Sequence, residues 1–265
     1  MLKRVKYYLR IYVRLMVRSY MMEMAYRLNF LVSILSTVVS FTTTIIFFNI
    51  IYFRVEDLAG WKKYDLLLLF GVYLLVKGVF EMSIRKGLDR LPSYVVRGSF
   101  DSMLLRPLNT LFLISFNRLD FDDLVEILIG ILTMNYALSK LALNLDPLMI
   151  LGFVISLVSG VIILYSNYLM IMSTTFWTLR VEYREIYKNL LQMTRIPPDV
   201  YSGRVRFILT YLIPLAFLVM FPAQVLLGRL PLWLVLITPL FALINFYLAW
   251  RFWLFALRNY SGASS

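Results

Sequence analysis

The chain has 265 residues and a formal net charge of +12, and it contains no Cys and no His. Hydrophobic residues make up 61% of the sequence and charged residues 16%, against about 45–50% and about 25% in average soluble domains. A soluble domain could not bury that much apolar surface, so the composition indicates an integral membrane protein. Disulfides, thiolate nucleophiles and histidine-based catalysis or metal binding are excluded.

The first segment, residues 1–28, is predicted to be an amphipathic helix on the inner membrane surface. Its basic residues share one face, and they are Lys3, Arg4, Lys6, Arg10, Arg14 and Arg18. Tyrosines and aliphatic residues lie on the opposite face, which suits the membrane interface. The pattern is typical of an anchor that only fixes orientation, and equally of a helix that also contacts a cytoplasmic partner.

Six long apolar runs follow, and each is long enough for a helix to cross the hydrocarbon core. The runs do not alternate, which favours helices over a barrel, so the predicted fold class is an all-α integral membrane protein. The predicted transmembrane domain covers residues 29–255, with spans at 29–53, 64–83, 124–143, 148–179, 207–227 and 232–255. The fourth run is longer than the core requires, and it should tilt or project into the cytoplasm.

The fifth predicted span contains two prolines, Pro214 and Pro222. Each removes a backbone hydrogen bond, so kinks or a broken segment are expected there. Residues 222–230 could then form a short re-entrant piece or a simple hairpin, and the sequence does not distinguish the two.

The distribution of Lys and Arg predicts the orientation. With the N-terminus inside, 21 of the 27 basic residues fall in cytoplasmic segments and 5 on the opposite side, as the positive-inside rule favours. Both termini are therefore predicted to be cytoplasmic, with cytoplasmic loops at 84–123 and 180–206 and a short tail at 256–265. The first run is too long for a cleaved signal peptide.

Several polar residues occur within the predicted spans. Lys77 and Glu81 are four residues apart and could pair towards the bundle interior, or Lys77 could extend to the inner interface. Uncharged polar residues in the spans could join helices together or line a path for a substrate. The candidate translocation path comprises Thr42, Thr43, Asn49, Lys77, Glu81 and Asn167.

Acidic residues cluster at the start of the third span, at Asp120, Asp122, Asp123 and Glu126. Carboxylates at a helix start cap exposed N–H groups, and we favour this interpretation over a cation site. Asp146 and Pro147 are predicted to cap and begin the fourth span.

The cytoplasmic loop at 84–123 contains a run from Gly98 to Pro107 that predicts a short helix, because Ser99 or Asp101 can cap its start and Pro107 ends it. Such a helix offers a surface on which another protein could push. The sequence has no phosphate-binding loop of the type G-x-x-x-x-G-K-[ST], so the chain cannot hydrolyse ATP alone.

Several short motifs, in this order, resemble a known family. They are Tyr26-Arg27-Leu28-Asn29-Phe30, Gly60-Trp61, Gly98-x-x-Asp101-x-x-Leu104-Leu105-Arg106-Pro107, Phe176-Trp177, Ile213-Pro214-Leu215-Ala216-Phe217, Phe221-Pro222-Ala223 and Tyr260-Ser261-Gly262-Ala263-Ser264. The chain resembles the membrane permeases of type-2 ATP-binding-cassette (ABC) transporters, in their small six-span bacterial branch.

This resemblance implies two permeases, as a homodimer or with a related permease, above two separate ABC ATPase subunits that hold ATP and Mg. The chain itself would be a transport subunit and not an enzyme, with no cofactor or metal, with membrane lipids and no nucleic acid as partners, in a bacterial or archaeal plasma membrane. It implies a coupling helix at Ser99–Leu105, an N-terminal helix against the ATPase, and an outer re-entrant piece near Pro214 and Pro222. The implied ATPase-coupling residues are Arg97, Gly98, Phe100, Asp101, Leu104, Leu105, Arg106 and Pro107.

The function that follows is export of an amphiphilic or apolar substrate, powered by the partner. The alternative is a gradient-driven secondary transporter or channel. It is disfavoured because coupling ions need intramembrane carboxylates, and only Glu81 and, marginally, Glu126 qualify. A membrane-embedded enzyme lacks histidine, cysteine and a carboxylate pair at membrane depth.

Overall fold

A computed structural model describes residues 2–25, 27–178 and 182–260. Its α-helices of five or more residues are α1 (Leu2–Met24), α2 (Arg27–Arg54), α3 (Lys63–Phe80), α4 (Leu91–Val96), α5 (Ser99–Leu104), α6 (Thr110–Phe116), α7 (Leu124–Leu141), α8 (Pro147–Ser173), α9 (Glu182–Met193), α10 (Gly203–Phe207), α11 (Ala216–Leu226) and α12 (Leu232–Arg258). A two-residue antiparallel hairpin, β1 (Asp57–Leu58) and β2 (Trp61–Lys62), precedes α3. The predicted motif and tail from residue 261 onward, Tyr26 and Leu179 lie outside the described residues.

Within the described part of the chain, five helices are long and apolar enough to cross a membrane, namely α2, α3, α7, α8 and α12. This confirms the predicted all-α membrane class. A sixth candidate is a pair of helical pieces, Gly203–Tyr211 and Ala216–Leu226, which are bent by 92° at the break between them.

Helix α3 lies at the centre of the bundle. In its most apolar stretch 67% of the residues are buried, against 6% in that of α2. Helix α3 packs on α7 and α11, and α8 packs on α11 and α12. At the α3–α7 crossing, a Cβ added to Gly71 would lie 2.6 Å from Met134 Cγ and 3.0 Å from the Gly130 carbonyl. Small residues therefore allow these two backbones to approach closely, as is common between membrane helices.

The segment that begins with α9 runs along α3 from one end to the other. Tyr187 stacks near Tyr168 at 6.0 Å and borders the same crevice as Glu81. The Arg195 guanidinium lies over the Tyr73 ring at 5.3 Å. Further on, Asp199 accepts a hydrogen bond from the Trp61 indole N–H at 3.2 Å.

Trp61 and Glu81 mark opposite ends of α3, about 30 Å apart at ~1.5 Å per residue. If α3 crosses the membrane, residues 187–199 cross it too, and the prediction of a cytoplasmic loop at 180–206 is wrong. The error arose because α9 is amphipathic: Glu185, Lys188 and Gln192 interrupt the apolar pattern that identifies a span.

The prediction of a fifth span at 207–227 is also corrected. The chain breaks beside Pro214, between α10 with its wider following turn (Ile208–Leu212) and α11. Asp199 before the bent pair and Arg229 after it both contact Trp61, the latter with its guanidinium 5.5 Å from the ring. The bent pair therefore enters and leaves the bundle at the same end, which is the geometry of a re-entrant loop.

The second proline of this region does not break the chain, because Pro222 lies inside α11. Residues 222–230 form the end of α11 and a turn in which Gly228 adopts φ +66°. Residues 222–226 therefore belong to the second piece of the bent pair, and the turn that follows leads directly into α12.

Candidate functional site

Helix α5 stands where the sequence predicts a short cytoplasmic helix, and it is held by aromatic side chains. It begins after Gly98, whose φ of +67° is readily adopted by glycine. Phe100 is fully buried, and its ring lies 5.3 Å from Phe176 and 5.0 Å from Tyr260. Phe176 follows α8 and Tyr260 follows α12, so α5 is fastened to the ends of two long helices.

The opposite face of α5 is open. Leu105 is 86% exposed and Leu104 is 39% exposed, and Arg97, Arg106 and Pro107 are also exposed. Asp101 is half-buried, and its carbonyl accepts the N–H of Leu105 at 3.3 Å. Of the predicted coupling residues, Phe100 points into the bundle, and the exposed group from Arg97 to Pro107 forms what we call the α5 surface.

Helix α1 lies against α6 through contacts between aromatic rings. Tyr8 contacts Phe112 at 4.9 Å and Tyr12 contacts Phe116 at 5.4 Å, both edge-to-face. Side chains of α1 also accept backbone N–H groups: Glu23 accepts that of Phe121 at 2.9 Å. Burial raises the pKa of the Glu23 carboxyl to about 7, and the Phe121 hydrogen bond opposes this shift.

The remaining aliphatic face of α1 is uncovered. Val5, Leu9, Val13 and Val17, spaced by four residues, are between 47% and 62% exposed. This stripe beside a basic face suits a helix lying in the headgroup layer.

A buried charge cluster occupies the half of α3 nearer α5. Lys77 Nζ lies 2.6 and 2.7 Å from the two Glu126 oxygens and 3.4 Å from Glu81. Arg85 lies 3.6 Å from Glu81 and 3.8 Å from Asp89. Lys77 and Glu81 therefore pair and face the bundle interior. A wide helical turn at Glu81–Arg85, of a kind frequent at functional sites, brings the acid and the arginine to this face.

The acidic residues before α7 are not the caps that the sequence predicts. Asp123 precedes α7 without a side-chain capping bond, Glu126 binds Lys77, and Asp120 binds Lys86. The interpretation fails because basic residues of α3 and its extension face these carboxylates. By contrast, the predicted cap at Asp146 is confirmed, since it accepts the Leu148 N–H at 3.3 Å and Pro147 begins α8.

Two acidic groups have the spacing of metal ligands. Carboxylate oxygens of Glu81, Asp123 and Glu126 lie within 4.8 Å of one another, as do those of Glu23, Asp120 and Asp122. Lys77 and Arg85 neutralise the first group, and Lys86 contacts the second. A metal cation would have to displace these cationic side chains.

The structure does not bring the predicted translocation path together. Thr42 and Thr43 are exposed on α2, and their hydroxyls each donate to a carbonyl four residues back at 2.8 Å. Asn49 borders a cavity of about 350 Å³ between α2, α3 and α7. Asn167 borders a different cavity, of about 610 Å³, between α8 and α9. Of this set, Lys77 and Glu81 alone contact each other in the described part of the chain.

Arg195, which lies at the depth of Tyr73 near the middle of α3, was not predicted as a functional residue. Nor was a polar network at the opposite end of α3, where Asp199 binds Arg206 at 2.8 Å and Arg229 binds the buried Asp65. We call this network, with Trp61, the outer latch. The signal that could have found both is the amphipathic pattern of α9, which marks a half-buried helix.

A family model described as ABC-2 family transporter protein matches residues 38–264 of the chain. No curated protein and no solved structure matches.

Proposed function

Because the chain belongs to the ABC-2 transporter family, we propose that it is the permease of an ABC exporter that moves an amphiphilic substrate outward, using ATP hydrolysed on a separate subunit. The observation that carries this proposal is the α5 surface. An apolar and basic patch is exposed on one side of a short helix whose other side is buried among aromatic rings.

The route of force transmission follows from the anchor of α5. When two ATPase subunits close on ATP and Mg, they press on the α5 surface. Phe100 passes the displacement to Phe176 and Tyr260, and so to the ends of α8 and α12. Because packed helices move as rigid bodies, the displacement reaches the far end of the bundle, where the outer latch holds the bent pair.

The partners in this proposal are an ABC ATPase, a second copy of the permease or a related one, and the lipids around the bundle. Helix α2 is exposed along nearly its whole length, so it offers surface for both lipid and a second permease. The membrane would be the plasma membrane of a bacterium or archaeon.

The test is affinity purification of the tagged full chain from its native membrane in mild detergent, followed by mass spectrometry. We expect an ATPase with a phosphate-binding loop in near-equal amount. Arg106→Glu on the α5 surface should remove it, and Arg204→Glu, an exposed arginine far from α5, should retain it. A stable chain that emerges without an ATPase would contradict the proposal.

A second candidate function is transport driven by an ion gradient. The grouping of Glu81, Asp123 and Glu126 favours it more than the sequence does, because these carboxylates lie together. Transport into inside-out vesicles, with the ATPase and ATP on their outer face, distinguishes the two. Transport by an ATP-driven exporter stops when ATP is removed and is unchanged by an ionophore. Gradient-driven transport continues without ATP and stops when an ionophore is added.

A further inference from the structure

A polar cavity of about 200 Å³ lies between α2, α3 and α7. Four hydroxyl-bearing residues of α2 line one wall, namely Ser33, Ser36, Thr37 and Ser40. Lys77, Glu126 and Arg195 supply the charged lining. Arg195 reaches it from the chain after α9, so four segments of the fold meet at this cavity.

The two cations of the cavity differ in how they are neutralised. Lys77 is held by Glu126 and Glu81. Among the residues that the structure describes, no carboxylate forms an ion pair with Arg195, and its Nε is buried without a hydrogen-bond partner. Its guanidinium lies instead over the ring of the buried Tyr73. Glu126 attracts Arg195 across the cavity but forms no ion pair with it, so the guanidinium can attract a further anion.

We propose that this cavity binds the phosphate-type anionic headgroup of an amphiphilic substrate, with Arg195 as its principal ligand. The proposal rests on the exporter function and names its substrate class. A guanidinium offers a fork of N–H donors that matches the oxygens of such a group. The hydroxyls of α2 supply further hydrogen bonds to the anion. Lys77, which pairs with Glu126, lies at the same cavity and attracts the anion as well.

The size of the cavity indicates a headgroup rather than a whole molecule. Pockets for complete small ligands are commonly about 300–1,000 Å³. The cavity of about 350 Å³ near Asn49 lies between the same three helices, and Phe41 borders both. Ile45, Phe48 and Leu67 make that second cavity largely apolar. The two neighbouring cavities therefore offer an ionic end and an apolar end, as an anionic amphiphile requires.

The experiment measures binding of a fluorescent phosphatidic acid to the purified full chain in detergent. Phosphatidylcholine and inorganic phosphate are the competitors. We expect phosphatidic acid to bind, Arg195→Gln to weaken binding at least about tenfold, and Arg195→Lys to restore part of it. The matched control, Arg204→Gln, removes an exposed arginine outside the cavity and should leave the affinity unchanged.

Equal affinity of Arg195→Gln and the parent chain would overturn the proposal, and so would equal binding of phosphatidylcholine. Full competition by inorganic phosphate at the concentration of the lipid would identify a site for free anions and would overturn the proposal that the ligand is an amphiphile. Thr37→Phe provides a second variant if Arg195→Gln does not fold, because it fills the cavity from the loosely packed α2. It should also reduce binding at least about tenfold, and undiminished binding would count against the site.

This assay needs no ATPase, so its result is separate from that of the exporter proposal. If the ATPase co-purifies and phosphatidic acid does not bind, the exporter stands and the substrate class is wrong. If phosphatidic acid binds and no ATPase is found, the site stands and the exporter fails.

Discussion

The two ends of the bundle hold their short helical segments by different chemistry. At one end, α5 is fixed by the fully buried ring of Phe100 against Phe176 and Tyr260. At the opposite end, two residues that flank the bent pair contact Trp61. Asp199 accepts a hydrogen bond from the Trp61 indole, and the Arg229 guanidinium makes a cation–π contact with its ring.

This difference indicates different mechanical roles. An aromatic contact buried on all sides is lost only at high cost, so α5 follows the helices to which it is attached. The ion pair of Asp199 with the exposed Arg206 can be exchanged for water at a small net cost. The aromatic contact of α5 is suited to transmit force, and the outer latch is suited to open.

The largest expected effect is that of Phe100→Ala, which removes the aromatic anchor. Replacing a buried Phe costs about 3–5 kcal/mol, so α5 should detach from α8 and α12. Amide hydrogen exchange in residues 93–106 should accelerate at least about 100-fold.

Leu105→Ala, on the exposed side of the same segment, is the control and should change exchange by less than about threefold. If Phe100→Ala leaves exchange unchanged, α5 is not held by its aromatic face, and the contrast between the two ends disappears.

A smaller effect is expected from Asp199→Ala, which removes the hydrogen bond to Trp61 and the ion pair to Arg206. The free energy that holds the bent pair in place should fall by about 1–2 kcal/mol. Since the chain has no Cys, Leu209→Cys provides a single buried thiol in the bent pair. Its labelling by a water-soluble thiol reagent should accelerate about tenfold.

Glu185→Ala serves as the control, because it removes an exposed carboxylate far from the latch. An Asp199→Ala protein that labels at the parent rate would mean that the latch does not hold the bent pair.

The smallest effect concerns the docking of α1 on α6. Burial raises the pKa of Glu23 from its ordinary 4.5 to about 7, so the docked state keeps the proton to higher pH than the released state. Docking is therefore strongest below about pH 4.5 and weakens as the pH rises towards about 7.

Spin labels at the exposed positions Val13 and Val96 measure this docking by their distance distribution. The docked population should fall between pH 5 and pH 8 in the parent chain and stay constant in Glu23→Gln. A fall of equal size in Glu23→Gln would assign the pH dependence to another group.

The apolar part of the fold could be predicted from the sequence, because long charge-free runs identify α2, α8 and α12 directly. The start of α8 at Asp146 follows from local signals, namely a cap and a proline, and local signals survive folding. The short helix at Ser99 also forms where predicted, but the predicted cap by Ser99 or Asp101 is wrong, because the helix begins after Gly98 without a side-chain cap. These features depend on neighbours in sequence, not on distant contacts.

Features that depend on distant contacts could not be predicted. One face of α9 carries charges and borders the charge cluster of α3. The mean hydropathy of the segment combines this charged face with the apolar one, so the segment does not look like a span. Glu126 has the position of a helix cap, but Lys77, 49 residues away, takes it as a partner. Pro214 and Pro222 look alike in sequence, and only the packing of α11 on α8 and α3 decides that the chain breaks at the first.

The most direct test of the account is site-specific photocrosslinking from the α5 surface in native membranes. A photoreactive amino acid at Leu105 should form an adduct with an ABC ATPase, identified by mass spectrometry. The same amino acid at Leu31, exposed on α2, should form none. Absence of the ATPase adduct at Leu105, or its equal yield at Leu31, would contradict the claim that the ATPase drives the permease through α5.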